Sequence, residues 1–339
     1  MENQYRHYGS DRSGLIYGFI FNGKEAAQEL HSEQAFRLIK DPNQLATDHF
    51  IWLHFNLSNA STERWLREHS QCPNEFYDIL HQGSRSTRIE HADQQLIAVI
   101  NDVVHDFSFD PSEIATLWLS ISPRVLISTR RKPLKSVDHL RDAVNRGEIF
   151  QSSMVLLTHL LRDQADVLTE IVRITISRID EVEDHLLADR LSKRRANLGE
   201  LRRVLVRLQR LLAPEPAALF RLLQKPPNWM SENDVRELRQ SSEEFAVVLS
   251  DIASLQERIK LLQEEIAAHV NEQNNRSLFV LTIVTVLALP INITTGLFGM
   301  NVGGIPYSQH EFGFWIVILI VSLITGIAGW FAFRSKNHD

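Results

Sequence analysis

Along the first third of the chain, short apolar runs alternate with polar punctuation. "GLIYGFIF" (14–21), "FIWLHFNL" (50–57), "QQLIAVINDVV" (94–104), "ATLWLSIS" (115–122) and "RVLISTR" (124–130) are rich in β-branched and aromatic residues, which predicts strands. Between them "STERWLREH" and "CPNEFYDILHQG" place apolar residues at helical spacing. Ser122, Pro123 and Arg124 form a turn signal that joins the last two strands as a hairpin. The pattern predicts an α/β domain over residues 1–150.

From about residue 150 the period changes from two to between three and four, and glycine and proline nearly vanish. Gly199, Pro214, Pro216, Pro226 and Pro227 divide this part into helices. Its most regular piece is Phe245, Val248, Ile252, Leu255, Ile259, Leu262 and Ile266, an a/d stripe of coiled-coil type, with His269 at the next d position. Nothing between Ser241 and Leu289 breaks a helix, so the stripe is predicted to run on into the apolar segment that follows. A rod from 241 to 298 would be about 87 Å long at ~1.5 Å per residue, able to couple a cytosolic domain mechanically to a membrane.

Two segments without ionisable side chains follow, 21 residues from Leu278 to Phe298 and 22 from Phe312 to Phe333. Each makes roughly 31 to 33 Å of helix, against a bilayer core of about 30 Å, so both are expected to span a membrane. Trp315 opens the second span and Trp330 closes it, at depths where amphipathic rings settle. Arg276 precedes the first span, Arg334 and Lys336 follow the second, and the connecting loop has no Lys or Arg. Both termini are therefore expected in the cytoplasm. The organisation predicted is an α/β domain (1–150), a helical bundle and stalk (151–276), a first transmembrane helix (277–298), an outer loop (299–311), a second transmembrane helix (312–334) and a short tail (335–339).

Stepping through the first span at the same spacing gives Thr282, Thr285, Leu289, Asn292, Gly296 and Gly299, a face that is polar or small. Asn292 is costly to bury in lipid without a partner. One reading makes this face the lining of a pore, which two helices per chain can enclose only as a cyclic homo-oligomer. The other makes Gly296 and Gly299 packing residues, with Asn292 bonded across a helix pair. Pro290 removes a backbone bond beside the stripe and offers a bend. The second span has no comparable face and is expected to lie outside.

The stretch after the first span, "GLFGMNVGGIP", resembles the CorA superfamily of two-helix divalent cation transporters, which carries Gly-Met-Asn at the outer end of its first membrane helix. The match falls on Gly299, Met300 and Asn301, with Pro290 about three turns earlier and a short basic tail at the end. Gly303, Gly304, Ile305 and Pro306, together with "WLHFN" and "WLREH", look most like the ZntB branch of zinc transporters, whereas Met300 is the form typical of magnesium and cobalt transporters. The resemblance implies a pentamer with a cytosolic funnel in a bacterial inner membrane, zinc as the transported ion with magnesium and cobalt as alternatives, and proton-coupled uptake. Asn301 would present a ring of amides able to bond the waters around a divalent ion. The spans hold no acid, histidine or cysteine, so a proton relay must be sought elsewhere. His310 and Glu311 in the outer loop are candidates for attracting the cation or carrying the proton, beside the reading of a solvated loop pair.

Composition narrows the remaining classes. The chain has a net charge of −6 and one cysteine, Cys72, which excludes an intrachain disulfide and a redox pair. Its fourteen histidines are scattered without metal-ligand spacing. Asp180, Glu181, Glu183, Asp184 and His185 form an acidic cluster that is either a divalent-ion site or a solvated helix face. The basic run from Arg190 to Arg210 interleaves Leu198, Leu201, Leu205, Leu208 and Leu212, the pattern of an amphipathic bundle helix and not of a nucleic-acid patch. No phosphate loop or nucleophile triad is present, so no enzyme, cofactor or nucleic-acid partner is expected. A membrane-anchored scaffold or signalling protein is the alternative of another class.

Overall fold

The computed structural model describes residues 9–41, 44–83, 86–92, 94–187, 195–300 and 311–335. The chain divides into two compact units, 1–262 and 263–339.

The first unit is built on a seven-stranded sheet of β1 (Leu15–Phe21), β2 (Gln28–Glu29), β3 (Phe50–Asn56), β4 (Arg88–Ala92), β5 (Gln95–Val103), β6 (Ile114–Ile121) and β7 (Val125–Arg130), in the order β2-β1-β3-β7-β6-β5-β4. β3 and β7 run parallel and the other neighbours antiparallel. The expected hairpin forms at Ser122–Pro123–Arg124, where Ser122 N–H donates to the Val125 carbonyl at 2.9 Å. The five apolar runs become β1, β3, β5, β6 and β7 because both faces of those strands are covered. In β3, Phe50 and Trp52 enter one core while Ile51, Leu53 and Phe55 enter another. Under the second face lie α1 (Ser32–Lys40), α2 (Thr62–His69) and α3 (Asn74–Gln82). Against the first lie α4 (Lys135–Asn145), the start of α5 (Ser153–Leu187) and α7 (Pro214–Gln224).

The short strands β2 and β4 and the helices α1 and α4 have no counterpart among the elements that the sequence pattern predicts. β4 is Arg-Ile-Glu-His-Ala, an edge strand whose Glu90 and His91 are exposed. Charge on an edge is what keeps a sheet from pairing further, and it also removes the apolar signature of a strand.

α6 (Arg195–Leu212) buries Leu198, Leu201, Leu205, Leu208 and Leu212, so the basic run is the outer side of an amphipathic helix. The long α8 covers Glu232–Phe298, 67 residues, and continues without a break from the first unit through the first apolar segment. It starts nine residues before the expected 241 because Ser231 and Asp234 cap it reciprocally. Asp234 N–H donates to Ser231 Oγ at 3.1 Å, and Ser231 N–H donates to Asp234 Oδ2 at 2.9 Å. Within the first unit the a/d stripe from Phe245 to Leu262 is buried in a single chain, with Ile252 and Ile259 fully enclosed. Its neighbour is α5, to which Arg258 is tied.

The second unit holds the rest of α8 and α9 (Gly313–Ser335). Both carry segments long and apolar enough to cross a membrane.

Candidate ion path

The helix pair of the second unit separates the first span into two faces. Ile283, Val286, Leu287, Pro290 and Thr294 of α8 are partly shielded. α9 meets this side, since a Cβ placed on Gly329 would lie 3.4 Å from Leu287 Cδ2. At about 100° per residue, the mean direction of Thr282, Thr285, Leu289, Asn292 and Gly296 lies roughly 180° around the helix from Leu287. All five are exposed in the single chain, Leu289 at 56%. A side chain added at Gly296 would meet nothing within 4 Å. The stripe read from the sequence is thus turned away from α9, and the chain itself supplies no cover for it among the described residues.

The hydroxyls on this face are oriented by the backbone. Thr282 donates to the Leu278 carbonyl and Thr285 to the Leu281 carbonyl, each at 2.8 Å. A hydroxyl whose proton is committed in this way presents oxygen lone pairs outward, as an acceptor. Acceptors are what the waters around a cation require, because those waters point their hydrogens away from the ion. The Asn292 side chain has no hydrogen-bond partner among the described residues and adds a further amide oxygen to the row. Pro290 sits on the α9 side, and α8 stays helical through it to Phe298.

At the end of α8, Gly299 N–H donates to the Thr295 carbonyl at 2.9 Å. A Cβ at Gly299 would stand 2.8 Å from that same oxygen, a contact side chains do not tolerate. The glycine is required by this close approach and not by a left-handed backbone. Met300 follows, 52% exposed. Asn301 and His310 lie outside the described residues. Glu311 is exposed just before α9. Trp315 and Trp330 are 65% and 55% exposed near the two ends of α9, placed for the interfaces of a bilayer.

In the acidic cluster of α5, Arg258 Nη2 bridges Asp180 Oδ1 at 2.7 Å and Glu183 Oε2 at 2.6 Å, and its Nε reaches Glu183 Oε1 at 2.9 Å. Two of the candidate ligands are thereby committed to a guanidinium from α8. No group of three potential metal ligands occurs among the described residues. Arg258 in "QERIK" is the one arginine of the heptad stretch, and spacing along one helix does not say which acids of another it meets. Glu181 and Asp184 stand beside the pair on α5, and the side chain of His185 is outside the described residues.

Of the histidines, His54 is wholly buried in β3. Arg130 Nε donates to its Nε2 at 2.9 Å, which places the ring proton on Nδ1, facing Ser128 Oγ at 2.7 Å. Burial first, and then the charges of Arg130 and Arg141, hold it well below the ordinary histidine range, so it is a neutral core residue and not a ligand.

Comparison with known proteins extends over nearly the whole chain. The family described as CorA-like Mg2+ transporter protein matches residues 47–334. The chain is 29% identical to the divalent cation transporter CmaX of Pseudomonas aeruginosa over 331 residues, 96% of each chain. It is 25% identical to the zinc transport protein ZntB of Enterobacter sp. over 322 residues, 95% of each. The solved structure of full-length CmaX superposes with a TM-score of 0.82 at 27% identity, covering 96% of this chain and 99% of that one.

Proposed function

Because this chain belongs to the CorA-like Mg2+ transporter family, a family of divalent cation transporters and not of enzymes, we propose that it passes hydrated divalent cations along α8 in a ring of identical copies. The observation that carries this reading is the exposed row of Thr282, Thr285, Leu289, Asn292 and Gly296 on the side of α8 opposite α9. A ring with the α8 helices innermost gives that row a shared aqueous axis and leaves α9 toward lipid. Five copies, an inner-membrane location and cytoplasmic termini follow from the family resemblance and the distribution of basic residues.

The lining is neutral, so a bare metal finds no anionic or imidazole ligand within the spans. Retained water bridges the ion to threonine and asparagine oxygens, and the outermost such group is Asn301 beside Gly299 and Met300. His310 and Glu311 stand at the outer mouth, where they attract the cation or exchange a proton. Zinc is the ion favoured by Gly303, Gly304, Ile305 and Pro306 and by the ZntB relatives. Magnesium or cobalt is the second reading, favoured by Met300.

Reconstituted protein assayed for zinc and magnesium flux at two external pH values tests this directly. Zinc uptake that rises with an inward proton gradient supports the first reading, and gradient-independent magnesium or cobalt flux supports the second. No flux from intact oligomers would overturn transport and leave an anchored scaffold. Asn292→Leu is expected to slow uptake about tenfold, the cost of losing one charge-assisted hydrogen bond of about 1.5 kcal/mol to the ion's water shell. Uptake at the wild-type rate would show that this face is dry.

A further inference from the structure

A buried polar seam in the first unit plays no part in the ion path. Gln164 of α5 donates from Nε2 to the Asn101 carbonyl of β5 at 2.7 Å and to Glu215 Oε2 at 3.3 Å. Glu215, the second residue of α7, is fully buried, and its Oε1 has no hydrogen-bond partner among the described residues. Asn101 Nδ2 donates to Thr87 Oγ1 at 3.0 Å, and Thr87 donates to the Leu211 carbonyl at the end of α6, 2.9 Å away. Next along β5, Asp102 is 3% exposed. Its Oδ2 accepts from Ser136 N and Oγ in the first turn of α4, and its Oδ1 accepts from Val103 N.

The groups bearing on Glu215 can be named element by element. β5 contributes the acid Asp102, with His139 of α4 behind it. α5 contributes the neutral amide of Gln164; β4 contributes the neutral hydroxyl of Thr87, just before its first residue, and the titratable His91, whose Nε2 lies 3.0 Å from the Lys225 carbonyl at the far end of α7. No cation pairs with Glu215 among the described residues. An ionised carboxylate here would have one amide donor, a second buried oxygen without a donor from the described residues and another acid nearby, an arrangement that strongly favours the neutral form.

We propose that Glu215 is a proton-operated latch: protonated, it lets the start of α7 seat against α5 and the sheet, and its ionisation loosens that turn. Nine residues of α7 (216–224) and the segment 225–231 are all that separate the latch from α8, so the seating of the long helix responds to proton concentration in the compartment that holds the first unit. Burial, and then Asp102, push the Glu215 carboxyl up to about 8 against the opposing bond from Gln164. Asp102 is pushed by burial to about 6, with its hydrogen bonds opposing. An acid raised above its unfolded value near ~4.3 binds protons better in the native state. Its contribution to stability therefore declines as pH rises from there through the folded value, and levels off beyond.

The full-length protein in detergent, wild type beside Glu215→Gln, provides the test. Hydrogen exchange of the α7 amides, corrected for the intrinsic pH effect, would be followed at about pH 6 and about pH 9, on either side of the titration. Wild-type α7 is expected to lose about a hundredfold in protection at the higher pH, a factor of ten for each of the ~2 pH units between the first measurement and the folded value of about 8, while Glu215→Gln keeps the same protection at both. A variant that retains the full wild-type difference would overturn the latch. Should Glu215→Gln not fold, Asp102→Asn is the second measure: an amide still caps α4, and loss of the neighbouring negative charge moves the wild-type midpoint to lower pH. An unmoved midpoint there would equally overturn it. Neither readout involves ion flux, so this inference fails or stands apart from the pore.

Discussion

Proteoliposomes carrying Asn301→Ala are expected to take up divalent cations roughly ten to a hundred times more slowly than wild type, with the oligomer unchanged in size. The magnitude follows from a hydrogen bond to a charged species, about 1.5–3 kcal/mol, where a factor of ten corresponds to ~1.4 kcal/mol. Asn301 follows directly on Gly299 and Met300, at the point where α8 ends on the Thr295 carbonyl and where a side chain at 299 would collide with that oxygen. A neutral amide there offers the water shell an acceptor without the strong field of a carboxylate, which would hold the ion and slow its departure. On the proposed reading alanine removes an acceptor for the ion's water shell, so the effect is expected on ion passage and not on assembly. Uptake at the wild-type rate, measured with the same oligomer on size-exclusion chromatography, would remove the motif from the path.

Much of this architecture could be read in the sequence because it follows from one-dimensional patterns. The two charge-free segments, the strands of the sheet centre and the unbroken α8 each have a period or a length that admits one element. What stayed hidden depends on which surfaces meet. β4 carries Arg88, Glu90 and His91 because it is an edge, and those residues conceal a strand. The exposed row on α8 was visible as a polar stripe, yet its separation from α9 becomes visible only once Gly329 is seen against Leu287. Arg258 gives no sign in its own helix that it crosses to Asp180 and Glu183. Pro214-Glu215-Pro216 reads as helix punctuation, and nothing in the triplet marks the middle residue as a buried acid. The Ser231–Asp234 cap, by contrast, was legible as Ser-x-x-Asp and would have placed the start of α8 correctly.

Ile259→Ala is expected to destabilise the first unit by about 2–5 kcal/mol, the usual cost of emptying an enclosed aliphatic site. The a/d period alone is compatible with two arrangements, a seam between copies or a seam within one chain, because both need the same apolar stripe. In the structure Ile252 and Ile259 are fully buried and Leu262 is 3% exposed before any second copy is present. Arg258, next to Ile259, is bonded to two acids of α5 at 2.9 Å or less, which fixes the partner as the chain's own helix. The loss should therefore appear as a lower melting temperature of the full-length protein with the oligomer still intact below the transition. Leu261→Ala, at a position 57% exposed, should change stability by no more than about 0.5 kcal/mol. If the stripe instead held copies together, Ile259→Ala would release folded monomers at low concentration. Oligomer size against dilution separates the two, since subunit dissociation depends on concentration and the unfolding of a packed helix layer does not.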